Sequence, residues 1–174
     1  MNTPTAVATY VFGFVVVVSI GLVIRRMLRG WRSRSERQAE MIGTLPELPD
    51  LLGPAVIAPT PGLYVGSTIA PNWLERVTAG DLGYRCKAVL TRYPEGILLE
   101  RSGTGPLWIP ADSVLGLRTE QALAGKVIPG RPGADPMAAL LVIRWRLPSG
   151  TEIDTGFRGD GRRDYAQWTT GVAA

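Results

Sequence analysis

Glu152 and Asp154 stand two residues apart in TEIDTGF, and Arg144 and Arg146 stand two apart in VIRWR, with the turn Pro148-Ser-Gly150 between the pairs. On an extended chain, residues two apart share a face. Two carboxylates so placed can bind a cation, and two arginines across a hairpin can neutralise them instead. The expected arrangement is the second, with Glu152 and Asp154 as solvated edge charges. Ala124-Gly-Lys-Val127 offers one cation, Lys126, beside a turn, which is a contact for an anion. It lacks the preceding glycine and the following Ser/Thr of a phosphate loop, so it reads as a turn. Cys86 lies in the alternating run YRCKAVLTRY, in phase with Ala88 and Leu90, and reads as an inward-facing core thiol. The remaining chemistry is a strip of cations, Arg25, Arg26, Arg29, Arg32 and Arg34, directly after an apolar run. Such strips attract anionic lipid headgroups, at about 1 kcal/mol per charge near a membrane surface.

The chain holds no histidine, which removes the commonest general base and the commonest metal ligand. No spacing pairs a serine or cysteine with a lysine or carboxylate base. No CxxC, EF-hand, GxGxxG or Walker A pattern occurs. These observations point to a protein that is not an enzyme, with no cofactor, no metal site and no catalytic residues. The net charge is +4, and the segment Arg25–Glu40, with six arginines and two acids, accounts for all of it. The remaining chain is neutral, so no domain-wide basic face for nucleic acid is expected.

The elements that must carry these residues begin with the run Ala6–Ile24, 19 residues without a charge. As a helix it spans about 29 Å, close to the hydrocarbon thickness of a bilayer. A cleaved signal peptide places its cations before the apolar run and a small-residue site after it, whereas here the arginines follow. The positive-inside rule then puts the short N-terminus, MNTPTA (residues 1–6), outside the plasma membrane and everything after Arg25 in the cytoplasm. Residues 1–27 are thus assigned to a single transmembrane helix. Residues 28–61 read as a basic juxtamembrane segment followed by a semi-extended linker. Its five prolines, Pro46, Pro49, Pro54, Pro59 and Pro61, disfavour a long helix or a central strand.

From Gly62 the period changes to two. Strands are expected at GLYVGSTI, YRCKAVLTRY, GILLER, LWIP, SVLGLRTEQ, AALLVIRWRL and TEIDTGF. Trp73, Leu74 and Val77 predict a short helix after Asn72 as N-cap. GKVIPGRPGADP reads as a loop, and Tyr165 and Trp168 mark one side of a short terminal helix. The fold class is mainly β, with one N-terminal transmembrane helix and a small antiparallel barrel carrying a short helix over 62–174.

Trp73-Leu-Glu-Arg76, the Ile109-Pro-Ala-Asp112 corner, the Ala124-Gly-Lys126 turn and Asp154-Thr-Gly-Phe157 give this region its character. Over about Gly62 to Arg158 it resembles the pleckstrin-homology-like (PH-like) domain of small single-pass actinobacterial membrane proteins, a group loosely labelled export or transport membrane proteins. The resemblance implies a fold and a location, and it brings no reaction. The hairpin tip Tyr93-Pro-Glu-Gly96 is not basic, so no phosphoinositide site is implied. The expected role is a cytoplasm-facing docking or scaffold module for a protein partner, held to anionic lipid by its arginines. The alternative is an accessory or regulatory subunit of a membrane transport or envelope-assembly complex.

Overall fold

The computed structural model describes residues 3–128, 139–161 and 164–169, with side chains from residue 10 on except 31–37, 164 and 166. Its contacts divide the chain into two units, Met1–Arg37 and Gln38–Ala174. The first unit is helix. Helix α1 runs from Thr3 to Ile42, so the helix expected to end near residue 27 continues through the arginine strip. The reason is local. Between Ile24 and Ile42 the residues are mostly Arg, Met, Leu, Glu, Gln and Ala, all good helix formers, and no proline interrupts them. Gly43 stops the helix at φ 65°, and its N–H donates to the Ala39 carbonyl at 2.9 Å, an αL cap. The 21-residue stretch Tyr10–Gly30 is long and apolar enough to cross a membrane, and none of it is buried.

The second unit starts with the last turn of α1. Ile42 is 1% exposed and belongs to the domain core. Strand β1 spans Ile57–Ile69, β2 Cys86–Tyr93, β3 Gly96–Arg101, β4 Leu107–Pro110 and β5 Val114–Glu120. Two short strands follow, β6 Ala122–Leu123 and β7 Lys126–Val127, then β8 Leu140–Arg146 and β9 Glu152–Gly159. The seven longer strands form one antiparallel sheet in the order β4-β3-β2-β1-β9-β8-β5, and β6 pairs with β7 alone. All seven strands expected from alternation are present.

β1 corrects the expectation that prolines bar a central strand. It contains Pro59 and Pro61 and lies in the middle of the sheet. A register shift between Ile57 and Thr60 takes Pro59 out of the ladder, and pairing with β9 begins only at Gly62. The proline-bearing end is therefore an edge, where a missing N–H is tolerated.

The inner faces share one core. Leu90, Leu99, Leu107 and Ile109 from one half of the sheet cluster with Leu141, Ile143, Trp145, Ile153 and Phe157 from the other. The sheet must curl to bring these residues together. Helix α2, Asp164–Thr169, adds Tyr165 and Trp168 to this core, as expected for the terminal helix. A second, smaller cluster lies on the outer face, where Leu123 and Ala124 of the β6–β7 hairpin cover Val65, Leu140 and Val142.

Residues 70–85 form turns, not the expected helix after Asn72. The Asn72 side chain does accept the Leu74 N–H, at 3.1 Å. The chain then extends, because Val77 N–H donates to Ser67 O and Thr68 bridges to Arg76. Sheet-like bonds to β1 win over a helix that has no buried face to gain. The expected loop GKVIPGRPGADP lies largely outside the described residues.

Candidate functional site

The arginine strip sits on α1. Arg25 and Arg29 are exposed and one helical turn apart, with Arg26 a quarter-turn around. Arg32 and Arg34 lie on the same helix, and their side chains fall outside the described residues.

In the domain, the two carboxylates and two arginines meet as the hairpin register demands. Arg144 pairs with Asp154 and Arg146 with Glu152 along β8 and β9. Arg146 Nη2 reaches Glu152 Oε1 at 2.8 Å on the surface. Asp154 is not the solvated edge charge expected, since it is 1% exposed. Its Oδ1 accepts from Arg118 Nη1 at 3.1 Å and Arg144 Nε at 2.9 Å, and its Oδ2 accepts from Arg118 Nη2 and Arg144 Nη2, each at 2.8 Å. Two bidentate forks thus occupy both carboxylate oxygens twice, leaving no lone pair for a cation. Arg118 also holds Glu120, at 2.9 Å. Burial pushes the Asp154 carboxyl upward, but hydrogen bonds from Arg144 and Arg118 and their charges outweigh it, and the net shift is downward. The same hydrogen bonds raise both arginines. The cluster clamps β5, β8 and β9 together, and its formal charges, three of each sign with Arg146 and Glu152, sum to zero.

Arg118 was not among the sequence-derived site residues. Its position depends on β5 lying beside β8, a pairing across residues 121–139 that no local pattern announces.

A second polar set is buried under the first. Trp145 Nε1 donates to Thr155 Oγ1 at 2.9 Å, Thr155 and Ser67 hydroxyls lie 2.8 Å apart, and Ser67 and Tyr64 hydroxyls 3.0 Å. Tyr64 donates to the Leu82 carbonyl at 2.6 Å. One direction satisfies every group: Trp145 to Thr155 to Ser67 to Tyr64 to Leu82. Burial pushes the Tyr64 phenol up to about 12, against the lowering effects of Ser67 and Arg101. Arg101 lies over the Tyr64 ring at 5.3 Å and donates to the carbonyls of Asp81 and Gly105. These contacts order the core and the loops at one end of the sheet, and they hold no nucleophile and base in reacting geometry.

Cys86 is half-buried against the core, as its phase predicted. Lys126 sits in the β6–β7 hairpin, whose turn places Ala124 at φ 51° and Gly125 at φ 71°. Among the described residues no group of three metal-ligating side chains forms. Two shallow grooves mark the domain surface. One, of about 300 Å³, lies between Pro110–Leu115 and Arg146–Pro148, and the other, of about 400 Å³, lies along Pro61, Lys87 and Glu100. Both are open to solvent and neither gathers charge of one sign.

Comparison with curated proteins and with solved structures gives no match. A protein-family model described as bacterial PH domain-like matches residues 42–173. That span starts at the last residue of α1 and includes all nine strands and α2. It extends past both ends of the stretch whose residues carried the resemblance. The curled seven-stranded antiparallel sheet with its terminal helix is the architecture that family implies, and the chain belongs to the bacterial PH domain-like family.

Proposed function

We propose that this protein is a membrane-anchored docking module. In this reading α1 crosses the plasma membrane once, with the N-terminus outside. Arg25, Arg26, Arg29, Arg32 and Arg34 meet anionic headgroups at the cytoplasmic face. The PH-like domain binds a protein partner and catalyses no reaction.

The observation that carries the reading is the candidate span Tyr10–Gly30, wholly exposed in this structure, whose uncharged part ends at Ile24 and runs without a break into the arginines of the same helix. From Tyr10 to Ile24 every residue is uncharged and exposed, and a bilayer is the solvent that such a surface fits. The order of apolar run then cations supports a retained anchor over a removed leader, and it supports the cytoplasmic assignment. Support for docking over chemistry comes from the fold family, whose domains serve as binding modules, and from the absence of a reactive constellation among the described residues. The proposed division gives residues 1–27 to the membrane helix, whose last cations, Arg25 and Arg26, join Arg29, Arg32 and Arg34 at the headgroups, and gives the domain to the partner.

The test is purification of the full-length protein from native membranes in mild detergent, beside a version whose residues 6–24 are replaced by an unrelated apolar helix. The docking reading predicts that one defined protein co-purifies with both versions. Co-purification with the native helix alone would replace this reading with that of an accessory subunit held through its span.

A further inference from the structure

We infer that the domain's protein partner reads residues 46–52, an extended acidic ridge of prolines and leucines. The partner's site is a groove lined with aromatic side chains and flanked by lysine or arginine. This rests on the docking reading above and names the surface and the partner chemistry that it uses.

The ridge belongs to the same compact unit as the sheet. Pro46 and Pro49 confine the residues before them, Leu45 and Leu48, to extended backbone. Residues 43–56 are accordingly neither helix nor strand. Both ends of the ridge are fixed. Leu45 packs against the domain core. Gly53 N–H donates to the Glu95 carboxylate, at 3.2 Å and 3.3 Å from its two oxygens, and Val56 N–H donates to the Arg92 carbonyl at 2.8 Å. Between these ties, residues 46–52 make no hydrogen bond with any described residue. Their backbone groups are therefore free of the sheet while the chain around them is held.

Glu47, Leu48, Pro49, Asp50 and Leu51 are all exposed. Leu48 is 40% exposed and Leu51 89%, the highest value of any large apolar side chain among the described residues. Pro46 also lines a groove with Leu115, itself exposed, so apolar surface continues from the ridge onto the sheet. Pro46-Glu-Leu-Pro49 has the spacing P-x-x-P. Segments of this kind dock in aromatic-lined grooves, because proline has already removed much of the chain entropy that binding would otherwise cost.

Charge decides between occupants. Residues 38–75 carry Glu40, Glu47, Asp50 and Glu75 and no lysine or arginine. Glu95 adds a carboxylate at the Gly53 end. Arg146, in the groove with Pro46, is already paired with Glu152 at 2.8 Å, and Arg92 stands opposite Ile57, past the end of the ridge. Among the described residues, Glu47 and Asp50 have no ion-pair partner. An anionic bilayer or a nucleic acid repels such a surface, whereas cations beside an apolar groove complement it.

The test places the photo-reactive residue benzoylphenylalanine at Leu51, Tyr84 or Val127, one at a time, in the full-length protein in its native membranes. All three positions are exposed. Irradiation joins each to whatever touches it. The expected result is a defined adduct with another protein at Leu51. Its yield should fall about tenfold when Glu47→Lys and Asp50→Lys are combined, and as far with Leu48→Asp. With the ridge's own acids in place, rising salt should lower the yield as well. An adduct at Leu51 whose yield ignores both charge reversal and salt would overturn the inference. Adducts from Tyr84 or Val127 with none from Leu51 would leave the docking reading standing and overturn this surface. An adduct of two copies of the chain, or with lipid alone, would overturn the protein groove as occupant. No protein adduct at any of the three positions would overturn docking and the inference together.

Discussion

Asp154 is the residue on which most charge depends. Asp154→Asn keeps the volume but turns two accepting oxygens into one acceptor and one donor facing guanidinium N–H groups. Removing one partner of a buried pair costs roughly 3–5 kcal/mol. Because Arg118 and Arg144 are 35% and 31% exposed, they can rehydrate, and a loss of about 2 kcal/mol is expected in urea unfolding. The pH dependence follows from the lowered carboxyl. The folded value lies below the unfolded one, so the stabilisation is full above about pH 4 and is lost as pH falls through the folded value. Asp154→Asn should flatten that acid limb, and a limb unchanged in the variant would contradict the assignment. Thr155 tests the buried hydroxyl chain. Thr155→Val leaves Trp145 Nε1 and Ser67 without their shared partner and should cost about 1–3 kcal/mol, with Thr155→Ser restoring most of it in the same unfolding measurement. The phase of each inward residue was legible from alternation. The burial of Asp154 was not, because its position facing outward on β9 says nothing of the arginine arriving from β5.

At the scale of elements, Gly62 governs the closest contact in the sheet. A Cβ there would meet the Arg158 carbonyl oxygen and the Phe157 ring, both on β9 and held by its pairing with β1. Gly62→Ala should cost about 3 kcal/mol, because backbone has to move. Gly156→Ala is a contrast. Its Cβ would meet Leu123 Cδ2 at 2.5 Å, the end of a side chain. Combining it with Leu123→Ala should recover part of its cost, a coupling readable in a double-mutant cycle. The last turn of α1 is held by Gln38, by the Ser149 and Thr151 hydroxyls on the Met41 carbonyl and by buried Ile42, and only Gln38 bonds the Thr78 amide, so Gln38→Ala should speed hydrogen exchange there roughly tenfold, the equivalent of about 1.4 kcal/mol of local stability. Strand identity was readable here because alternation with β-branched residues is local. The loop after Asn72 was misread because Trp73, Leu74 and Val77 imitate a helix face, while the bonds that extend the chain come from Ser67 and Thr68 on β1.

For the whole molecule, the sequence divides cleanly by charge, and the structure divides at Arg37. The mainly β class, the terminal helix and the apolar N-terminal helix could all be read from periodicity. The continuation of α1 to Ile42 could not, because from Arg25 to Gln38 charged and polar residues replace the apolar pattern and only intrinsic helix propensity marks the stretch. The central claim is that the apolar segment holds a cytoplasmic domain to the membrane. Labelling intact cells with a membrane-impermeant thiol reagent tests it most directly, with Cys86 replaced by alanine and a single cysteine introduced by Thr5→Cys or by Leu51→Cys, a site 89% exposed. The account predicts labelling of the first variant in intact cells and of the second only after lysis. Labelling of Leu51→Cys in intact cells, or release of the protein from membranes by alkaline carbonate, would contradict it.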